Sequence, residues 1–138
     1  MAYGAAEGRI VARPHPIKVL MVDDNVEHVN LCTEYLPRDE FSLEAAYTAT
    51  DALVKLKAKS YDIIILDYAL PDMNGIDLLK KIKPLGVKAP IVFVSAYDDP
   101  DLAFEATRAG ACDYVVKTFQ YYENLKDRII ENLDDVPA

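Results

Sequence analysis

The sequence predicts an α/β domain built on a doubly wound, five-stranded parallel sheet with helices on both faces. Two observations carry this. Between Ile17 and Leu133, five short strand-like runs alternate with five segments of helical periodicity. A strand followed each time by a helix that crosses back over the sheet gives parallel pairing. The third run, Ile63-Ile64-Ile65-Leu66, is apolar at every position, as a strand covered on both faces must be.

Ile17 to Val22 is mostly apolar and suits a buried strand. Asn25 then caps a helix in which Val26, Val29, Thr33 and Leu36 share a face, closed by Pro37. Phe41, Leu43, Ala45 and Tyr47 alternate with Ser42, Glu44 and Ala46, the pattern of a half-exposed edge strand. Thr48 or Thr50 starts the second helix, with Ala49, Ala52, Leu53 and Leu56 inward. After the third strand, Asp62 to Asp67, the Pro71 and Asn74-Gly75 signals mark a turn. The third helix carries Ile76, Leu79 and Ile82 and stops at Pro84 and Gly86. Ile91 to Ser95 is the fourth strand. Asp99-Pro100 reads as cap and first turn of a fourth helix with Leu102, Ala103, Ala106 and Ala109 on one face and Gly110 at its end. Tyr114 to Val116 is the fifth strand, and Tyr122, Leu125, Ile129 and Leu133 mark the fifth helix. With the second strand at the edge and the third central, the expected order is 2-1-3-4-5, that of flavodoxin-like sheets.

Composition bounds the function. The 138 residues are one domain's worth, 51% apolar and 28% charged, as in soluble globular proteins. No uninterrupted apolar run of about 18 residues is present, so no membrane span is expected. Residues 1–16 hold Gly4, Gly8, Pro14 and Pro16, no periodicity and no secretory signal, and are expected to form a flexible arm. Residues 17–133 form the domain and residues 134–138 a short tail. Cys32 and Cys112 suggest two small buried thiols in a reducing cytosol rather than a disulfide or zinc framework. A net charge of -8 makes nucleic acid a poor direct partner, because phosphate binding runs on Lys and Arg.

In sheets of this order, ligands bind beyond the carboxyl ends of the strands. The first strand ends at Asp23 and Asp24, the third at Asp67, the fourth at Ser95 and the fifth at Lys117. Three carboxylates delivered to one edge repel, and a hard divalent cation with oxygen ligands is what stabilises them; magnesium fits, with room left for phosphate oxygens. Taken singly, Asp23 and Asp24 could be helix caps, Ser95 a loop cap and Lys117 a solvated side chain. Together they provide what phosphoryl transfer requires: a metal site, cationic and neutral donors for the equatorial oxygens, and Asp67 as a carboxylate that can form an acyl phosphate.

The motifs Val22-Asp23-Asp24-Asn25, Ile65-Leu66-Asp67-Tyr68-Ala69-Leu70-Pro71-Asp72-Met73-Asn74-Gly75, Val94-Ser95-Ala96 and Asp113-Tyr114-Val115-Val116-Lys117 resemble those of response-regulator receiver domains over about residues 17–133. The resemblance implies that a sensor histidine kinase or phosphotransfer protein donates from a phosphohistidine to Asp67. It implies Mg²⁺ held by Asp24, Asp67 and the backbone carbonyl of Ala69, with Asp23 acting through water. It implies that Lys117 and Ser95 bind the phosphoryl oxygens, that Ser95 and Tyr114 form a switch, and that the surface of the fourth helix, fifth strand and fifth helix then changes for a downstream protein or fused output module. Tyr97, two residues after Ser95, and Ala69, two after Asp67, are expected to flank the path of an attacking water and so modulate the lifetime of the acyl phosphate. Such a chain is a cytoplasmic switch that catalyses only its own phosphorylation and dephosphorylation.

The pattern departs from the family at Thr118, where a proline is usual. A cis bond there costs roughly 2.5–4 kcal/mol without proline, which puts the resting position of Lys117 in question. In the run that follows, Phe119 and Tyr122 are expected to pack inward and Tyr121 to be exposed. Two other readings stand beside the receiver. A phosphohydrolase using an aspartyl phosphate needs a second acid two residues after the nucleophile, where Ala69 stands. A receiver-like interaction module working without phosphorylation draws its support from Thr118. No output segment is read after Leu133, so either a stand-alone receiver or a piece of a longer protein is expected.

Overall fold

Short polar caps at the strand-to-helix junctions set the architecture. A computed structural model describes residues 15–118 and 120–134, and all statements of structure refer to these. In chain order the elements are β1 (Ile17–Val22), α1 (Val26–Tyr35), β2 (Phe41–Ala46), α2 (Ala49–Ala58), β3 (Ile63–Asp67), α3 (Gly75–Ile82) with a 3₁₀ turn (Lys83–Leu85), β4 (Ile91–Ser95), α4 (Pro100–Ala109), β5 (Asp113–Val116) and α5 (Tyr121–Asp134). Side chains of Asn25, Thr48, Asn74 and Asp99 accept from the first-turn amides of α1 to α4, satisfying donors that helix starts leave open. Gly86 and Gly110 take positive φ after the 3₁₀ turn and α4. The expected arm at residues 1–16 lies largely outside the described residues, as do Phe119 and residues 135–138.

The strands pair in parallel in the order β2-β1-β3-β4-β5, as the sequence predicts. Alternate residues of the strands enter two separate cores. Leu20, Val22, Ile64, Leu66 and Phe93 face α2, α3 and α4, against Leu56, Leu79 and Leu102. Val19, Met21, Ile63, Ile65 and Val94 face α1 and α5, against Val29, Cys32, Leu125 and Ile129. At the amino end of β5, Asp113 accepts from Arg128 Nε at 2.6 Å and from Asn132 Nδ2 at 2.9 Å, tying the later half of α5 to the sheet.

Four packing expectations change. Val26 is 51% exposed, and Cys32 fills the α1 face instead; the first turn of α1 lies beyond the end of β1, with no strand beneath it. Tyr47 is exposed and Ala46 buried, because β2 ends at Ala46. Cys112 is exposed rather than buried: it precedes β5 and donates to the Ile91 carbonyl from the rim of the sheet. Tyr121 is buried, since α5 begins there and its inward face runs Tyr121, Leu125, Ile129; Tyr122 is half-buried. Beside Tyr121, burial pushes the Cys32 thiol up to about 12, leaving it an inert core group.

Candidate functional site

Strand register assembles the site. Val22 pairs with Leu66, so Asp23 emerges beside Asp67. Asp67 pairs with Val94, and Ser95 with Val116, so Ser95 and Lys117 follow on the same edge. Backbone bonds fix the exits: Asp23 N donates to the Ala46 carbonyl at 3.0 Å and Lys117 N to the Ser95 carbonyl at 2.8 Å. Asp23, Asp67 and Ser95 are buried and Asp24 is exposed.

The three aspartates each offer an oxygen within 4.8 Å of the others. Lys117 Nζ lies between two of them, 3.0 Å from Asp23 Oδ2 and 3.1 Å from Asp67 Oδ1. Burial pushes the Asp67 carboxyl up to about 6; Lys117 works against this, while Asp23 and Asp24 add to it. Burial acts to lower the Lys117 value, but Asp67 and Asp23 outweigh it and hold the ammonium above its ordinary range. The bond from Lys117 to Thr118 is trans, with no cis peptide among the described residues. Lys117 therefore reaches the pocket without the family's proline.

Ser95 is fully buried, and its Oγ accepts from the Tyr97 amide at 3.0 Å. Tyr114 is half-buried, stacked on Phe93 at 5.8 Å, and its hydroxyl donates to the Tyr97 carbonyl at 2.6 Å. One peptide segment at Tyr97 thus links both expected switch residues. The Tyr97 ring is 60% exposed above the edge, and Ala69 is exposed in the loop between β3 and α3.

Three residues belong with the site although their sequence context marks them for other duties or none. Gly75 is buried, and a Cβ there would meet the Asp67 carbonyl at 2.7 Å, Leu66 Cδ2 at 2.8 Å and Phe93 Cε1 at 2.9 Å. The Asn74-Gly75 pair signals a turn, but nothing in it announces this close approach. His28 Nδ1 lies 3.3 Å from Lys117 Nζ, and no motif marks it. Asp72 reaches across to α2, accepting from Ala49 N at 2.9 Å, Thr50 N at 2.8 Å and Thr50 Oγ1 at 2.7 Å. It pins the loop that carries Ala69 to the start of α2.

Those bonds from Thr50 and the two amides hold the Asp72 carboxyl down at about 2, below its ordinary 3.8. A depressed acid stabilises the fold fully above its unfolded value and loses that contribution as pH falls through the folded one. Wild type is therefore expected to resist urea better than Asp72→Ala at pH 6. The gap should close as pH falls from 3.8 through about 2. A gap that is constant with pH would sink this account.

The donor set fits a magnesium ion: all oxygen, three carboxylates within 4.8 Å, one of them exposed to a side where waters and phosphate can complete an octahedron. The carboxylates outnumber the single ammonium facing them, which favours a further cation.

The model of the response regulator receiver domain matches residues 19–130. The transcriptional regulatory protein ZraR of Salmonella typhimurium is 34% identical over 122 residues, which cover 88% of this chain and 26% of that protein. The chain thus spans about a quarter of that relative. The chemotaxis protein CheY of Bacillus subtilis is 32% identical over 118 residues, covering 85% of this chain and 94% of that one. Among solved structures, the CheX-CheY-BeF3-Mg complex from Borrelia burgdorferi is similar with a TM-score of 0.78 at 28% identity, covering 85% of this chain and 89% of that one.

Proposed function

From the premise that the chain belongs to the response regulator receiver domain family, we propose that it is a phosphoacceptor switch in two-component or phosphorelay signalling, with Asp67 as acceptor. The observation that carries this is Lys117 Nζ standing between Asp23 and Asp67 at 3.0 and 3.1 Å in a pocket at the sheet edge. An Asp67 carboxylate oxygen attacks the phosphorus of a phosphohistidine. A P–O bond forms, the P–N bond breaks, and the electron pair leaves with the donor's imidazole. Lys117 turns one donor to an equatorial oxygen, and Ser95 offers its hydroxyl to another. Asp24, Asp67 and the Ala69 carbonyl would hold Mg²⁺, with Asp23 acting through water; the ion supplies positive charge to the phosphoryl oxygens. The Borrelia complex, whose name includes Mg and BeF3, supports this cofactor.

The signal leaves through Tyr97. When Ser95 turns to the phosphoryl group it releases the Tyr97 amide, and the Tyr97 carbonyl carries the change to Tyr114. A new partner present only in the phosphorylated state is what biases two conformations. The surface of α4, β5 and α5 then presents differently to a downstream protein or fused output module. The donor is a sensor histidine kinase or phosphotransfer protein. The chain works in the cytoplasm, without direct contact to nucleic acid or membrane, and catalyses only its own phosphorylation and dephosphorylation. No helix among the described residues is long and apolar enough to cross a membrane. The position of Lys117, which reaches the pocket with Thr118 behind it, supports this reading over the alternative of an interaction module independent of phosphate.

Incubation with acetyl phosphate and Mg²⁺ tests this: the intact mass should rise by one phosphoryl group, and no rise would count against the reading. Tyr97→Ala should alter the rate at which the phosphoryl group is then lost, by a few-fold, because its exposed side chain meets Tyr68, the neighbour of Asp67, edge-on at 6.5 Å. An unchanged decay in a chase with chelator would remove Tyr97 from that role.

A further inference from the structure

The ammonium of Lys117 has three N–H donors, and three acceptors surround it: Asp23 Oδ2 at 3.0 Å, Asp67 Oδ1 at 3.1 Å and His28 Nδ1 at 3.3 Å. The first two are carboxylates with other duties. A cation in the pocket competes for both, and Asp67 gives up its free oxygen when it is phosphorylated. The third is not an acid and is not in the acceptor motif. Because an ammonium only donates, His28 Nδ1 is the acceptor in this contact; the same nitrogen lies 3.7 Å from Asp23 Oδ2.

His28 is placed by its backbone and by its ring. Its backbone N–H donates to Asn25 Oδ1 at 3.1 Å in the first turn of α1. Its ring meets Tyr122 of α5 edge-on at 5.8 Å, and Tyr122 in turn stacks on Tyr35 at 6.5 Å. The acceptor therefore sits on packed helices, whereas Lys117 itself is followed by Thr118, which does not restrain the chain as a proline does.

We propose that His28 is a positioning residue for Lys117, the acceptor that keeps its ammonium aimed across the pocket once the carboxylates turn to metal and phosphoryl group. This deepens the phosphoacceptor reading and rests on it. Without His28, Lys117 retains the carboxylates alone and collapses onto them, so it meets the incoming phosphoryl oxygen late and in competition with the cation. The ion pairs survive and the fold loses little, but the aim is lost.

The test compares His28→Leu and His28→Asn with wild type, at saturating acetyl phosphate and Mg²⁺, by the rate of mass gain. An amide oxygen of Asn can stand where Nδ1 stands, while Leu fills space without accepting. A hydrogen bond to a charged group supports an expected slowing of about tenfold in His28→Leu, with His28→Asn recovering most of the rate and both variants unfolding near the wild-type temperature. Pulsed acetylation of lysines, read by peptide mass, gives a readout apart from turnover: Lys117 should react more slowly in His28→Leu than in wild type or His28→Asn, because its ammonium is then held by the two carboxylates alone. A His28→Leu rate equal to wild type overturns the role of His28 alone, as does a His28→Asn variant as slow as His28→Leu, which would assign the effect to packing on Tyr122. Wild type that takes up no phosphoryl group overturns the phosphoacceptor reading and this role with it.

Discussion

Asp67→Ala is expected to take up no phosphoryl group from acetyl phosphate and Mg²⁺ under conditions in which wild type gains one. The loss should be complete, because the carboxylate is the atom that forms the new bond and no neighbour replaces it. Asp24 is exposed, and Asp23 is engaged at Oδ1 by the Asn25 amide at 2.9 Å and at Oδ2 by Lys117 at 3.0 Å. The fold should not suffer in step. Burial and two nearby acids make the Asp67 charge costly, to the point of lifting its carboxyl to about 6, so removing it relieves repulsion while Lys117 keeps Asp23. Thermal unfolding of the metal-free variant is thus expected at or above the wild-type temperature, the usual exchange of stability for function at a charged site. A variant that still gains one phosphoryl mass would move the acceptor to another residue. A variant that fails to fold would leave its loss of uptake without meaning, and Asp67→Asn, nearly the same shape, then takes its place.

Gly75→Ala should be the most damaging single methyl that can be added near the pocket. The added carbon meets a backbone carbonyl, a Leu66 methyl and the Phe93 ring, each closer than 3.0 Å. The carbonyl belongs to Asp67 itself and cannot swing aside without breaking the end of β3. A cost of about 3 kcal/mol is expected from such overpacking, read as a fall in the denaturant midpoint at unchanged slope. Gly86→Ala is the fitting comparison. Its φ is +73° with open space around it, so the strain of a left-handed alanine, about 1 kcal/mol, is all it should show. Equal losses in the two variants would mean that β3 and α3 do not approach as closely as described. Phosphoryl uptake by any folded Gly75→Ala should also slow, because the displaced carbonyl carries the Asp67 side chain with it.

Much of this was legible in the sequence because the chemistry-bearing residues come directly after apolar runs. A strand that ends in Asp23 or Asp67 delivers a carboxylate to the edge whatever the details of packing, and parallel order brings those edges together. Contacts between segments distant in sequence were not legible. Asp72 meets Ala49 and Thr50, and His28 meets Lys117, across gaps that no local periodicity spans. Helix faces near element ends are hidden from the sequence for a related reason. Val26 fits the apolar stripe of α1 but lies where the sheet has stopped, and Tyr121 is expected to be exposed until the start of α5 sets its inward face. Periodicity says which residues share a face; only tertiary position says whether anything lies under it.

The clamp of Asp113 by Arg128 and Asn132 has a mechanical consequence. It fixes α5 near its far end, while the near end begins only a few residues past Lys117. With the later half tied down, a movement of Lys117 is met at the near end, where Tyr121 is buried and Tyr122 packs on His28 and Tyr35. The seven steps from Tyr121 to Arg128 make a lever arm of about 10 Å at 1.5 Å per residue. A tilt of about 5° at Arg128 carries the Tyr121–Tyr122 end through about 1 Å, enough to shift the Tyr122 ring against His28 and Tyr35. The helix is loaded where the chemistry happens and tied most firmly where it does not.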